Sequence, residues 1–344
     1  MANSKDKIRV ALLIGGDSSE RAVSFASGKA MAAALPLDRF AVTAFDVASE
    51  ATRALAHTET NVLSVACHPL AWDQLATTLR VGDFDVALPA LHGGWGEDGT
   101  LQSLLEVAGI PYVGSPQRAS MIAMDKQVCK AVMRDLGLPV PAGRVIEALE
   151  AAPEGEQDGP VGAPCVVKPN AGGSSVAVTI IRDMAGGTSA ALREAVNAAL
   201  RDGSGALVEE LIEGVEVTAA VLGEGNAARV LPLIEIVPQS AGGFYDYEAK
   251  YTPGGSQHLT PPRLPAEVQG RIAEYALRAH RALGCRGVAR SDYIVSADGT
   301  PYFLEINTLP GMTEMSLVPD AARAAGLSFA QLLETLILEA LRRS

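Results

Sequence analysis

The 344-residue chain has only four cysteines, Cys67, Cys129, Cys165 and Cys285, and no two stand as C-x-x-C. This spacing excludes a paired-cysteine zinc or redox motif and predicts reduced, mostly buried thiols in a cytoplasmic protein. Positive charge is scarce: 28 Lys and Arg face 40 Asp and Glu, a net charge of −12. Nucleic acid needs a basic field, so it is excluded as a partner, whereas the charge of a single nucleotide can be met locally by a few lysines and metal. No apolar run reaches 18 residues, and the run at 10–14 is stopped by Gly15-Gly16, so neither a membrane span nor a signal segment is expected. There is no G-x-x-x-x-G-K-[ST], and no G-x-G-x-x-G follows the first strand, which disfavours P-loop and Rossmann dinucleotide proteins. Internal repeats and low-complexity tails are absent too.

What is present is a chain that is 48% hydrophobic and long enough for two or three domains. Its first part alternates strand and helix. Apolar strands are predicted at 8–14, 40–45, 86–91 and 110–113, and helices at about 23–35 and 100–108. Such alternation implies an α/β fold with a parallel sheet and ligands beyond the strand C-termini. The loops Gly15–Glu20 and His92–Gly99 fall at those ends. A helix is predicted over 119–136, ended by Gly137-Leu138-Pro139. Strands at 165–168 and 207–212 follow, then a mixed α+β region. That region has strands near 215–222 and 229–237, a glycine-rich loop at 241–256, a helix at about 266–283, an acidic hairpin, and a closing helix at 329–341.

The hairpin is the most informative stretch. Glu305 and Asn307 are two apart and share one strand face, as Arg290 and Asp292 do on the preceding strand. The turn Ser296-Ala297-Asp298-Gly299 folds the two strands together. Three oxygen ligands on one face suit Mg²⁺ shared with phosphates; a solvated acidic face is the plainer alternative. Lys126, Lys168 and Lys250 each sit at an element end. Lys168 runs into Pro169-Asn170-Ala171-Gly172-Gly173-Ser174-Ser175, a loop able to turn backbone N–H groups toward phosphate. Glu20 either binds a substrate ammonium or complements a helix dipole. His92 either handles a proton or hydrogen-bonds within its glycine loop. Ser316 either receives a carboxylate or caps a helix.

Taken together these stretches resemble the D-alanine–D-alanine ligases of the ATP-grasp superfamily. The matching segments run the length of the chain: S-S-E-R at 18–21, L-H-G-G-W-G-E-D-G-T-L-Q at 91–102, G-I-P-Y-V-G-S at 109–115, M-D-K at 124–126 and V-K-P-N-A-G-G-S-S-V at 167–176. They continue with F-Y-D-Y-E-A-K-Y at 244–251, R-S-D-Y at 290–293, L-E-I-N-T-L-P-G-M-T at 304–313 and S-L-V-P at 316–319. The resemblance implies a substrate domain at 1–118, a central ATP-grasp subdomain at 119–212 and a C-terminal ATP-grasp and metal-binding domain at 213–344. It implies a cytoplasmic homodimer that joins two D-alanines at the expense of ATP, for peptidoglycan precursors; a relative joining other amino acids in secondary metabolism is the alternative.

The resemblance also implies roles. Lys126, Lys168 and Lys250 would hold ATP phosphates, with Ser175 in the phosphate loop. Glu209, Glu210, Ile212 and Leu304 would line the adenosine site, and Glu216 would take the ribose. Asp292, Glu305 and Asn307 would bind two Mg²⁺, or Mn²⁺. Glu20 would take the first amino group, with His92 nearby, and Arg290 and the Gly311 N–H the oxyanion. Ser316 and Leu317 would receive the second carboxylate. Glu20, Ser174 and Tyr251 would form a triad closing the loop. Three positions depart from the family pattern: Ser291 in R-S-D-Y, Glu210 where lysine is common, and T-P-G-G-S after Tyr251 without its usual acidic residues.

Overall fold

Residues Val10 to Ile14 are completely buried. An apolar run buried on both faces belongs at the centre of a parallel sheet, and that is its place in the computed structural model, which describes residues 7–55, 63–148, 164–173, 177–182, 188–239, 254–313 and 315–343. Strand β1 (Ile8–Gly15) lies between β2 (Phe40–Val47) and β4 (Val86–Pro89), with β3 (Cys67–Leu70) outside β2, all parallel. Residues 110–113, expected as the fourth strand, make only a single bridge, Ala87 to Tyr112. The strand on the opposite edge of the sheet, Cys67–Leu70, carries Pro69, which an edge tolerates. With His68 and Pro69 exposed, it has no apolar pattern to announce it.

Two antiparallel sheets follow. The smaller has β5 (Gly143–Ile146), β8 (Ala206–Glu210), β6 (Cys165–Pro169) and β7 (Thr179–Ile181) in that order. The larger has β12 (Ser256–Leu259), β11 (Ile234–Pro238), β9 (Val215–Leu222), β13 (Val288–Val295) and β14 (Pro301–Asn307), with β10 (Arg229–Val230) paired to β9. Alternation divides this sheet cleanly. Val217, Ala219, Val221, Ala289 and Tyr293 face the helix Ala266–Leu283 in one core, which leaves the opposite face to Glu216, Thr218, Arg290 and Asp292.

The single helix expected over 119–136 is two helices, Gln117–Met124 and Lys126–Asp135. Asp125 breaks it. Its backbone is extended, and its carboxylate accepts from Val128 N–H as an N-cap. Lys126 N–H then donates to Asn170 O at 3.1 Å, and Asp125 bridges Ala171. The periodicity runs through the break because the apolar side continues on both helices. The break carries Lys126, the first residue of the second helix, to the phosphate-loop candidate. The four cysteines are free thiols, three of them buried.

The helix Arg21–Ala34 crosses β1 at Gly28, where a Cβ would sit 2.4 Å from Ile14 Cγ2. Alanine in place of a helical glycine gains about 1 kcal/mol in propensity, but overpacking costs about 1–3 kcal/mol. Gly28→Ala is therefore expected to lower the thermal midpoint. An unchanged or raised midpoint in calorimetry would contradict this packing.

Candidate active site

The hairpin folds Asp292 back beside Glu305 as expected: Asp292 lies directly opposite Glu305, and Arg290 opposite Asn307, with a bulge between Asp292 and Tyr293 shifting the register by one residue. Arg290 grips Asp292 with a two-pronged contact, Nε to Oδ1 at 2.9 Å and Nη2 to Oδ2 at 2.8 Å. Thr218 Oγ1, from β9, donates to the same carboxylate at 2.6 Å. Glu305 lies 3.4 Å from Lys126 Nζ. Among the described residues no group of three or more His, Cys, Asp or Glu side chains forms a metal cage. Two carboxylates and an amide on one face are an all-oxygen set, and they fit a Mg²⁺ that takes its remaining ligands from phosphates and water.

A cavity of about 500 Å³ opens between the smaller and larger antiparallel sheets, within the range of small-molecule sites. Its walls include Lys168, Glu209, Ile212, Glu216, Leu304 and Asp292. Glu210 also lines it, but one of its carboxylate oxygens accepts from Ala142 N–H at 3.0 Å. Glu209 is buried at the cavity floor, and each of its oxygens holds a lysine: Oε1 meets Lys168 at 2.5 Å, and Oε2 meets Lys130.

This triad has one carboxylate for two ammonium groups. Burial opposes the charge on Glu209, but Lys168 and Lys130 outweigh it and hold the carboxyl at about 2. Burial pulls Lys130 down to about 8 against the attraction of Glu209. Lys168 is also pulled down by burial, yet Glu209 and Glu305 together raise it. All three are charged at neutral pH. Lys130 was not among the expected residues. Its spacing of four from Lys126 puts both on one helix side, a signal that was there to be read.

A second, smaller cavity of about 90 Å³ lies on the other side of Glu305, lined by Glu20, His92, Arg290, Asn307, Ser316 and Leu317 among others, with Gly311 in its wall. Glu20 is buried and packs against two glycines: a Cβ on Gly173 would lie 2.7 Å from Glu20 Oε1, and one on Gly93 3.1 Å away. These glycines give the carboxylate its room. His92 is held on both ring nitrogens, by Ser27 Oγ at 3.0 Å and Glu97 Oε1 at 3.4 Å. Ser27 Oγ also accepts from Met312 N–H at 3.3 Å, which joins this network to the segment after the hairpin. Ser316 is the residue before the helix Leu317–Ala324, with no side-chain cap; its Oγ accepts from Thr313 N–H at 2.9 Å instead. Lys126, Gly172, Gly173 and Glu305 belong to the walls of both cavities. Ser174, Ser175, Lys250 and Tyr251 lie outside the described residues.

A parallel α/β region followed by two antiparallel sheets that hold a nucleotide-sized cavity between them is the architecture of the ATP-grasp proteins. Within that class the chain belongs to the D-ala D-ala ligase family. The model for the family's N-terminus matches residues 9–115, and that for its C-terminus residues 132–338. A D-alanine–D-alanine ligase of Desulforudis audaxviator (strain MP104C) is 47% identical over 329 residues, 96% of this chain and 97% of the relative. The D-alanine–D-alanine ligase of Bacillus anthracis, solved in complex with ATP, superposes with a TM-score of 0.75 at 32% identity, covering 98% of each chain. The VanG D-Ala:D-Ser ligase of Enterococcus faecalis superposes at 0.76 with 29% identity, covering 97% of this chain and 99% of that one.

The shared carboxylate makes Glu209→Gln a severe change, because two buried ammonium groups then face each other. Removing one partner of a buried pair costs about 3–5 kcal/mol. A folded pKa of about 2 against an ordinary 4.5 means that Glu209 stabilises fully above pH 4.5 and loses that contribution as pH falls toward 2. The stability gap between the parent and Glu209→Gln is therefore expected to be wide at pH 6 and to narrow below pH 4.5. Denaturant midpoints measured across that range check it; a gap independent of pH would contradict the ion triad.

Proposed function

We propose that the chain is an ATP-dependent ligase that joins two molecules of D-alanine for peptidoglycan precursor synthesis. The observation that carries this reading is the common wall of the two cavities: Lys126, Gly172, Gly173 and Glu305 stand between a nucleotide-sized space and one sized for small amino acids. The names of the relatives, at up to 47% identity over nearly the whole chain, support D-alanine as the substrate.

In the proposed arrangement ATP occupies the larger cavity, with adenosine against Glu209, Glu210, Ile212 and Leu304 and ribose at Glu216. Lys126 and Lys168 meet the phosphates. Asp292, Glu305 and Asn307 would hold two Mg²⁺, which would neutralise phosphate charge when bound. Glu20 takes the ammonium of the first D-alanine and turns its carboxylate toward the common wall. A carboxylate oxygen bonds to the γ-phosphorus, the bond to the β-phosphate oxygen breaks, and ADP leaves with that electron pair. The second D-alanine sits with its carboxylate at Ser316 and Leu317. Its deprotonated amine attacks the acyl carbon, and the tetrahedral oxyanion is met by Arg290 and the Gly311 N–H. One such donor is worth about 3 kcal/mol. Collapse expels phosphate and leaves the dipeptide.

Arg290 now holds Asp292, so its guanidinium must divide its donors between that carboxylate and the oxyanion. The three-domain division at 1–118, 119–212 and 213–344, a cytoplasmic location and a homodimeric state are further parts of this reading, supported by the family resemblance.

Purified protein with ATP, Mg²⁺ and a panel of D- and L-amino acids tests the reading. Phosphate release is expected to depend on D-alanine, with the dipeptide found by mass spectrometry; preference for a different amino acid would replace it with the broader ligase alternative. Glu305→Gln removes one anion from the common wall. Small displacements of reacting groups cost about 100-fold, so turnover is expected to fall at least that far while first-substrate binding changes little. Near-normal turnover at saturating Mg²⁺ would remove Glu305 from the metal site.

A further inference from the structure

The edge strand β12 carries His258, which pairs with Ile236, and Ile236 pairs in turn with Glu216. Directly opposed residues share a face, so His258 stands on the face of Glu216, Thr218 and Asp292. There it meets the helix Leu317–Ala324: His258 Nδ1 lies 2.6 Å from Asp320 Oδ2. The two side chains are 17% and 19% exposed. Ser256 Oγ is 3.4 Å from the other ring nitrogen. The second oxygen of Asp320 accepts from Arg323 at 2.9 Å, but Arg323 is 68% exposed, so that contact restrains the helix weakly.

Neither residue lines either of the two cavities described above; what they join matters. Ser316 precedes the helix and Leu317 begins it, and both line the smaller cavity. Asp320 N–H donates to Ser316 O at 3.2 Å, one turn along the same side. The rest of the helix is held by apolar packing, in which Leu317, Val318, Ala321 and Ala322 share a core with Ile234 and Ile236. Such packing is non-directional. It leaves the helix some freedom to turn and slide, whereas a short bond to a carboxylate fixes one atom against another.

We propose that His258 is a positioning residue for the second amino acid, holding Ser316 and Leu317 through Asp320 at the distance where they receive its carboxylate. The inference rests on the proposed reading of the smaller cavity. Neither residue belongs to the motif segments of the family resemblance, and the contact joins the sheet that walls the nucleotide cavity to the end of the amino-acid cavity.

Steady-state kinetics on the purified full chain test it. D-alanine-dependent phosphate release by the parent decides the reaction first; the variants then bear on the pair alone. His258→Ala is expected to raise KM for the second D-alanine about tenfold, the range of one charge-assisted hydrogen bond. KM for ATP and for the first D-alanine, and kcat, are expected to stay within about twofold. Asn carries its amide nitrogen close to the position of Nδ1, so His258→Asn is expected to recover most of the loss. Asp320→Ala is expected to match His258→Ala, and the double variant to be no worse than either. All are compared at a temperature where circular dichroism shows them folded. An unchanged second KM in His258→Ala, a uniform rise in all three KM values, or an Asn variant as impaired as the Ala variant would overturn the proposal.

Discussion

Asp292 and Glu305 lie directly opposite each other on adjacent antiparallel strands, and like charges so placed repel. The rest of the site is arranged around that repulsion. Arg290 covers one carboxylate with two hydrogen bonds, Thr218 adds a third, and Lys126 approaches the other. A face with this much negative charge is ready for cations, and Lys126 reaches it because the helical stretch breaks at Asp125. The fold therefore links a local defect in a helix to the electrostatics of a strand pair far away in sequence.

The same logic extends to the cavity floor, with the signs reversed. There Glu209 is the single anion between Lys130 and Lys168, and an excess of positive charge suits a polyphosphate. The floor of the nucleotide cavity thus carries a local excess of positive charge, whereas in the common wall Glu305 faces Lys126. Gly172 and Gly173 keep this wall thin: a side chain at Gly173 would crowd Glu20, as one at Gly93 would from outside the wall, and Gly172 O accepts from Lys126 Nζ at 2.5 Å.

Features written locally were legible in the sequence. The hairpin declared itself because its turn is short and its period is two, although the bulge between Asp292 and Tyr293 that sets Asp292 opposite Glu305 had no local signal. The helices at 266–283 and 329–341 declared themselves by spacing. The helix break at Asp125 was hidden because apolar periodicity continues through it, and only the contact with Asn170 and Ala171 shows why it forms. Strand β3 was hidden because an exposed edge needs no apolar pattern. Glu209 was expected near the adenosine, but its pairing with Lys130 depends on two segments 79 residues apart, and the pairing of His258 with Asp320 on segments 62 apart. No local rule reads such pairs. The roles of Glu20, His92 and Ser316 came from resemblance, since position alone left each with a plain structural alternative.

The central claim is that a carboxylate in the smaller cavity meets the γ-phosphate across Glu305. D-alanine labelled with ¹⁸O in both carboxylate oxygens tests it most directly, because acyl phosphate formation followed by attack of the amine sends one substrate oxygen away with phosphate. The account predicts inorganic phosphate carrying one ¹⁸O for each dipeptide made, with none in ADP. Phosphate without label, formed alongside dipeptide, would contradict it.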